Sequence, residues 1–275
     1  PPISIKKNLI TEIEVQTKKL ALALKVKGFM NIQFAIKNDE IFVIEVNPRA
    51  SRTVPFVSKA KGIPLAKIAS RVMAGEKLSN FNLKSKTKNM FAVKEAVFPF
   101  NKFPKSDVLL GPEMKSTGEV MGFDKDFGMA FAKSQIAASN SLPTKGLAFI
   151  SLKNSHKKEG VGLARQLLKL NFTLCGTVGT ADFINKHGMK CKKINKVSGG
   201  SPHIVDVLNS KKIALVINTG GGNSEQKIND AIALRRATLV NKVPYCTNMS
   251  TAYVCLEGIR SLKTKKITVT SLQDI

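Results

Sequence analysis

The stretch that decides the fold of the first part of this chain is "NIQFAIKNDEIFVIEVNPRASR", residues 31–52. Two runs rich in strand-forming residues flank the polar segment "NDE" at 38–40, a pattern typical of a β-hairpin. If those three residues form the loop, the strand register sets Gln33 opposite Glu45. Because side chains alternate along a strand, Glu45 and Asn47 also share a face. We therefore expect Gln33, Glu45 and Asn47 to converge.

The chemistry of these side chains favours a metal–phosphate site. Carboxylate and amide oxygens are hard ligands of the kind that Mg²⁺ takes, usually together with substrate phosphates. Arg49 and Arg52 follow in the same stretch, and guanidinium groups bind planar oxyanions through two parallel hydrogen bonds. Phosphoryl transfer depends mostly on positioning and charge neutralisation, which such a set would supply. The alternative is a strand end whose charged side chains form only surface salt bridges.

Length and composition indicate two domains of ordinary size. The 275 residues are 43% hydrophobic, enough for a core in each domain. The sequence has no apolar run of about 18 residues and no N-terminal signal pattern, so we expect a soluble, cytoplasmic protein with no membrane partner. The chain begins Pro1-Pro2 without an initiator Met, and we expect an N-terminal truncation. Its cysteines are widely spaced, which predicts reduced thiols.

The net charge of +25 raises the question of a nucleic-acid partner. The basic excess is spread over both parts of the chain, without a basic block or an aromatic-rich binding motif. We therefore expect a solvated lysine-rich surface that attracts small anions, and no nucleic-acid partner.

Beyond residue 140, strand-like and helical runs alternate, which indicates a parallel sheet with helices on both faces. The strand-like runs are 147–152, 172–175, 213–218, 243–247 and 266–270, and the helical runs are 157–170, 180–187, 225–237 and 249–262. Before them, helices are predicted at 9–26, 64–74 and 127–140, a strand at 91–100, and loops at 79–90 and 101–123. The segment "SLPTKG", residues 141–146, is the best candidate linker.

Small polar residues follow two of these strands, in "CGTVGTAD" at 175–182 and "VINTGGGNS" at 216–224. In open α/β sheets, ligands bind at the carboxyl ends of the strands, where helix N-termini and free backbone N–H groups hold anions. We therefore expect a small phosphorylated ligand in the second domain.

Two longer segments carry a specific family resemblance. "MNIQFAIKNDEIFVIEVNPRASRTVPFVSKAKGIPLAKIASRVMAG" (30–75) and "VKEAVFPFNKFPKSDVLLGPEMKSTGEVMG" (93–122) closely resemble the end of the second ATP-grasp module in the large subunit of carbamoyl-phosphate synthetase. The remaining residues resemble the C-terminal regulatory domain of that family. The resemblance implies an α/β chain with a partial ATP-grasp (α+β) domain at 1–140. A doubly wound parallel-sheet, methylglyoxal-synthase-like allosteric domain would follow at 141–275.

The resemblance implies an ATP-dependent carbon–nitrogen ligase that makes carbamoyl phosphate from bicarbonate, an amide nitrogen and two ATP. The second module would phosphorylate carbamate, and the product would feed arginine or pyrimidine biosynthesis. A glutaminase small subunit is the implied partner, contacting mainly regions outside this chain, and the full-length protein is expected to be an oligomer. We expect the present chain alone to be inactive, since the rest of the ATP site would precede Pro1.

Three sets of site residues are implied by the resemblance. In the ATP site, Gln33 and Glu45 contact ATP, Gln33, Glu45 and Asn47 hold Mg²⁺ or Mn²⁺ (with K⁺ a further candidate), and Arg49 and Arg52 meet the reacting phosphoryl group. The nucleotide site, for UMP or IMP, comprises Lys157, Thr177, Thr180, Lys196, Asn218 and Thr219. The ornithine site comprises Glu95, Tyr245 and Thr247. Residues 220–224, "GGGNS", depart from the family pattern, which leaves the identity of the regulator open.

Two other interpretations remain. Residues 140–275 would on their own make a free-standing nucleotide-sensing module. A methylglyoxal synthase is the weaker alternative, because that chemistry needs carboxylates to move protons. Asp182 and Asp206 lie near strand ends, but the sequence gives them no paired arrangement.

Overall fold

A computed structural model of the protein describes residues 2–85, 87, 89–100, 113–220 and 225–271. The helices are α1 (Lys7–Ala23), α2 (Thr53–Lys61), α3 (Leu65–Met73), α4 (Phe127–Ala137), α5 (Lys157–Lys169), α6 (Val178–Lys186), α7 (Ile204–Asn209), α8 (Glu225–Val240) and α9 (Met249–Thr264). The strands are β1 (Asn31–Lys37), β2 (Glu40–Asn47), β3 (Phe91–Val97), β4 (Gly118–Asp124), β5 (Gly146–Ser151), β6 (Phe172–Thr177), β7 (Cys191–Ile194), β8 (Ile213–Asn218) and β9 (Tyr245–Cys246). The chain forms two compact units, residues 1–90 with 269–275, and residues 91–268.

The first unit is built around the β1–β2 hairpin. Its turn contains only Asn38 and Asp39, with φ values of 53° and 64°, the left-handed conformation that a tight two-residue hairpin turn requires. The predicted three-residue loop is therefore wrong, since Glu40 already pairs with Lys37. A β-bulge at Ile44 then shifts the register by one residue, so that Gln33 lies opposite Glu45 as predicted.

The helices of the first unit begin and end at recognisable signals. Helix α1 ends two residues before Lys25, whose φ of 50° is incompatible with a continuing right-handed helix. Helix α2 was not predicted from the sequence, although Gly62, in the left-handed conformation at its C-terminus, is a common helix stop signal. Helix α3 lies within the predicted span 64–74. None of the helices in the described ranges is long and apolar enough to cross a membrane.

The second unit contains a five-stranded parallel sheet with the order β7-β6-β5-β8-β9. The predicted parallel α/β architecture is confirmed, but one of its strands was misplaced. Residues 266–270 are not a strand, and Val269 is 96% exposed. The fifth strand is instead β7, whose sequence "CKKI" has two exposed lysines and lies at the edge of the sheet. Such a lysine-bearing edge strand lacks the apolar pattern of a central one.

Alternating residues of β5 serve two separate cores, one on each face of the sheet. Ala148 and Ile150 pack with residues of α5, α6 and α9, whereas Phe149 packs with residues of α7 and α8. This alternation follows from the two-residue period of a strand, and it produces the predicted helices on both faces.

The antiparallel pair β3–β4 and helix α4 complete the second unit. β4 occupies residues that the sequence had assigned to a loop, and it pairs with β3 along its whole length. Helix α4 crosses α9 closely at Gly128, where an added Cβ would lie 2.6 Å from the carbonyl oxygen of Glu257. The domain division predicted between residues 140 and 141 falls inside this compact unit and stays a prediction. Residues 101–112, which carry part of the family resemblance, lie outside the described residues.

Candidate functional sites

The polar face of the β1–β2 hairpin carries the residues predicted for the ATP site. Gln33 lies opposite Glu45, and Asn31 lies opposite Asn47, so all four residues share one face. Asn47 Nδ2 donates a hydrogen bond of 2.9 Å to Glu45 Oε1. Gln33 and Glu45 are exposed, while Asn31 and Asn47 are half-buried. The sequence interpretation missed Asn31, which the two-residue strand period together with the register would have found.

These four side chains fit a hard cation by the chemistry of their donors. They offer one carboxylate and three amide oxygens, and Mg²⁺ and Mn²⁺ prefer such ligands. Within the described parts of the chain, no three His, Cys, Asp or Glu side chains converge on a point. A cation on this face would therefore need additional ligands, and nucleotide phosphates are the usual ones.

Arg49 and Arg52 lie on the connection between β2 and α2. The backbone N–H of Arg49 donates to Asn47 O at 2.8 Å, which forms a tight turn, and Arg49 Nη1 donates to Ala50 O at 3.1 Å. Arg52 is the residue that immediately precedes α2, and both arginines are exposed. Both arginines thus follow the polar face closely in the sequence.

The second unit contains a cavity of about 440 Å³ at the carboxyl ends of β5, β6 and β8. Phe149, Ile204 and Leu234 form part of an apolar wall. The polar lining residues are Ser151, Lys153, Asn154, Thr177, Lys196, Asn218 and Asp230. A cavity with an apolar wall and a few convergent polar groups is typical of a small-molecule site.

Of the residues predicted for the nucleotide site, Thr177, Lys196 and Asn218 line this cavity. Thr180 and Thr219 are buried behind it, with 2% and 8% of their surfaces exposed. Thr180 Oγ1 accepts a hydrogen bond of 3.0 Å from Leu152 N, and Thr219 Oγ1 accepts one of 3.4 Å from Lys153 N. These two threonines therefore hold the loop after β5 in place rather than facing the cavity.

Lys157 lies outside the cavity lining, beside the first turn of α6. A Cβ added at Gly179 would be 3.4 Å from Lys157 Nζ. Lys153 and Lys196 are the cations in the lining itself, and Asp230 is its carboxylate. Asp230 accepts two hydrogen bonds from Ser198, 3.1 Å from the backbone N–H and 2.7 Å from the hydroxyl. The cavity therefore combines positive groups with one carboxylate that is held in place by hydrogen bonds from Ser198.

The residues predicted for ornithine have different partners. Burial raises the pKa of Glu95, and a hydrogen bond from Gln135 opposes that change. The hydroxyl of Tyr245 lies 3.0 Å from Asn218 Nδ2. Burial raises the pKa of Tyr245, while Asn218 and Arg235 lower it. Thr247 is exposed directly after β9.

The sequence interpretation missed Ser151, Lys153, Asn154 and Asp230. The first three follow β5, and the rule that parallel strands end at one edge of the sheet would have pointed to them. Asp230 lies within α8 and has no comparable signal in the sequence. Residues 221–224, most of the departure "GGGNS", lie outside the described residues.

The two carboxylates considered for methylglyoxal synthase chemistry are engaged elsewhere. Asp182 forms an ion pair of 2.7 Å with Lys193. Asp206 accepts a hydrogen bond of 2.9 Å from the His203 backbone N–H at the start of α7. Neither lines the cavity, and this weighs against that reading.

The fold joins a unit built on a polar-faced β-hairpin to a unit built on a parallel sheet with a cavity at its strand ends. Residues 1–81 match the family model "Carbamoyl-phosphate synthase L chain, ATP binding domain", and residues 159–247 match "MGS-like domain". The chain belongs to the carbamoyl-phosphate synthase large-chain family.

Individual relatives match the whole chain. It is 46% identical over 297 residues to the "Carbamoyl phosphate synthase large chain, C-terminal section" of Aquifex aeolicus, covering 100% of this chain and 55% of that relative. It is 48% identical over 276 residues to the large chain of Pseudomonas putida, covering 100% of this chain and 25% of the relative. The chain thus spans about half of the first relative and a quarter of the second.

A solved structure of methylglyoxal synthase from Elizabethkingia anophelis matches 42% of this chain and 79% of its own. The TM-score is 0.34 and the identity is 18%. A similarity of this size supports no conclusion by itself.

Proposed function

We propose that residues 141–275 act as the regulatory domain of a carbamoyl-phosphate synthase large chain and bind a nucleoside monophosphate, UMP or IMP, in the cavity. The observation that carries this proposal is the cavity at the carboxyl ends of three parallel strands, lined by Lys153, Lys196, Thr177 and Asn218. Its cations and amide would bind the phosphate, and its apolar wall would receive the base.

Calorimetric titration of the chain with UMP and IMP tests the proposal, with uridine as the ligand that lacks only the phosphate. Lys196→Met removes a cavity cation and keeps most of the side-chain length. Lys192→Met is the matched control, because Lys192 is an exposed residue of β7 that does not line the cavity. We expect Lys196→Met to weaken UMP binding about 10-fold or more, since a charge-assisted hydrogen bond contributes about 1.5–3 kcal/mol. Equal weakening by both substitutions, or equal affinity for uridine and UMP, would contradict phosphate recognition in the cavity.

The hairpin favours a second function, a contribution to the ATP site that phosphorylates carbamate. Gln33, Glu45 and Asn47 would hold Mg²⁺ or Mn²⁺ with the ATP phosphates, and Arg49 and Arg52 would neutralise the transferring phosphoryl group. The support is the shared face of the three metal candidates and the position of both arginines immediately after it. Because Gln33 and Glu45 are exposed, we expect this chain to bind metal–ATP weakly and to show no steady synthesis of carbamoyl phosphate.

Electron paramagnetic resonance of Mn²⁺ with ATP tests the hairpin site directly. Glu45→Gln should reduce the fraction of Mn²⁺–ATP bound to the chain, because it removes the carboxylate of the polar face. Glu40→Gln changes the same charge at an exposed position beside the turn and should have no effect. If both substitutions reduce binding equally, the polar face is only a surface charge.

The remaining functional assignments come from the family and are proposals for this chain. They are a glutaminase small subunit as partner, ornithine bound by Glu95, Tyr245 and Thr247, and roles in arginine or pyrimidine biosynthesis. The ornithine assignment requires Glu95, whose observed partner is Gln135, to act together with residues around β9. Titration of the wild-type chain and of the Glu95→Gln variant with ornithine would test it.

A further inference from the structure

A chain of hydrogen bonds connects the ligand cavity to the neighbouring strand β9. The backbone N–H of Gly220 donates to Asn218 Oδ1 at 3.1 Å. Asn218 Nδ2 in turn donates to the hydroxyl of Tyr245 at 3.0 Å. Asn218 and Gly220 line the cavity, whereas Tyr245 does not. Tyr245 therefore contacts a lining residue, Asn218, without lining the cavity itself.

These two hydrogen bonds fix the orientation of the Asn218 amide. A backbone N–H can only donate, so the oxygen of the amide must face Gly220 and its NH₂ group must face Tyr245. The NH₂ group has two hydrogens, and Tyr245 takes only one of them. The second hydrogen is available to a ligand oxygen, and its direction is set by the bond to Tyr245.

The Tyr245 hydroxyl also lies against helix α8. Its pKa is raised by burial and lowered by Asn218 and by the guanidinium of Arg235. Arg235 directly follows Leu234, a residue of the apolar cavity wall. The hydroxyl thus lies between the end of β8 and α8, the two elements that Gly220 and the following residues connect.

We propose that Tyr245 is a positioning residue for the ligand cavity: its hydroxyl orients Asn218 so that one N–H of the amide is presented to an oxyanion or hydroxyl oxygen of the bound ligand. The proposal rests on the proposed nucleotide-binding function and deepens it. It gives Tyr245 a role in the nucleotide cavity, separate from the contact with ornithine that the family resemblance implies.

Tyr245→Phe removes the hydroxyl and retains the ring, so the packing of β9 is preserved. Asn218 is only 7% exposed, and its NH₂ group would lose a buried acceptor. We expect the dissociation constant for UMP, measured by calorimetry, to rise about 2- to 13-fold, the usual range for the net contribution of one hydrogen bond. Tyr253→Phe is the matched control, because the only other tyrosine of the chain donates its hydroxyl to Glu159 O at 3.1 Å and does not line the cavity.

A double-mutant cycle with Asn218→Ala separates positioning from a general loss of structure. If Tyr245 acts through Asn218, Tyr245→Phe should have no further effect on UMP affinity in the Asn218→Ala background. Equal effects in both backgrounds, or no effect of Tyr245→Phe on its own, would overturn the proposal and leave nucleotide binding intact. A wild-type chain that binds neither UMP nor IMP would instead overturn the proposed function, and this inference with it.

Discussion

Gly128→Ala is the sharpest test of how α4 packs in the second unit. An added Cβ would overlap Ser261 Oγ and would lie 2.6 Å from the carbonyl oxygen of Glu257, an atom of the α9 backbone. A side chain can rotate away, but a backbone carbonyl cannot, so α9 must shift by several tenths of an ångström. That shift would also disturb the hydrogen bond of 2.5 Å between Ser261 Oγ and Asp126 Oδ1.

The magnitude follows from opposing effects. Overpacking in a tight contact costs about 1–3 kcal/mol, and a weakened hydrogen bond adds about 1 kcal/mol. Alanine regains about 1 kcal/mol over glycine within a helix. We therefore expect Gly128→Ala to destabilise the second unit by about 1–3 kcal/mol, which lowers its Tm by about 2–12 °C for a unit of this size.

Tyrosine fluorescence provides a selective assay, because the chain has no tryptophan and both tyrosines lie in the second unit. Gly162→Ala is the matched control. It lies inside α5, where an added Cβ meets only the Tyr253 hydroxyl at 3.4 Å, so helix propensity should raise Tm by about 1–4 °C. An equal rise in Tm for both substitutions would refute the close crossing of α4 and α9.

Three further predictions concern titration and thiol exposure. Hydrogen bonds from Lys265, the larger cause, and from Ser261 lower the pKa of Asp126 from 3.8 to about 2. The resulting stabilisation is present above pH 3.8 and is lost as the pH falls towards 2. Asp126→Asn should therefore lower the Tm at neutral pH, and its Tm should approach that of the wild type near pH 2. A constant difference from pH 7 to pH 2 would exclude this linkage. Burial raises the pKa of Glu95 above 4.5, so the folded protein loses stability as the pH rises through the raised pKa. Glu95→Gln should therefore raise the Tm at pH 7 but not below pH 4. An unchanged Tm at pH 7 would count against burial of the charge. Burial raises the pKa of Cys175 to about 12 and that of Cys191 to about 11, and all four cysteines are buried free thiols. Ellman's reagent at pH 8 should therefore react slowly with the native chain, and after denaturation it should react with all four thiols. Rapid reaction with the native chain would show that these thiols are accessible.

The sequence predicted those elements whose local pattern agrees with their environment. β5 and β8 are nearly continuous apolar runs, as expected for strands buried on both faces, and the predicted positions of β5, β6 and β8 are confirmed. β7 was missed because an edge strand needs few apolar residues and "CKKI" has only two buried ones. Residues 267–270 alternate apolar and polar β-branched residues but pair with no strand in the part of the chain that the structure describes, and the sequence alone does not reveal pairing between distant segments.

The same limitation applies to the candidate cavity. Thr177 and Thr180 are both threonines near the end of β6, and their sequence context suggests the same role. In the structure Thr177 lines the cavity, whereas Thr180 accepts a hydrogen bond from the Leu152 backbone. Whether a hydroxyl faces a ligand or a neighbouring backbone depends on the direction of its Cα–Cβ bond relative to loops that are distant in the sequence. Leu152 and Thr180, which form this hydrogen bond, are 28 residues apart.

The hairpin shows how a correct register between Gln33 and Glu45 was predicted from an incorrect loop. With the observed two-residue turn and no bulge, the register of Lys37 with Glu40 would continue and would place Gln33 opposite Ile44. Glu45 would then point to the other face, away from Gln33. The extra residue Ile44 reverses that alternation and returns Glu45 and Asn47 to the face of Gln33. A bulge leaves one residue of the ladder unpaired, and Ile44 is 62% exposed, so neither backbone pairing nor burial of Ile44 accounts for it. The shift brings half-buried Val46 opposite half-buried Ile32, and it also gathers Glu45 and Asn47 beside Gln33, the arrangement that the proposed metal–phosphate site requires.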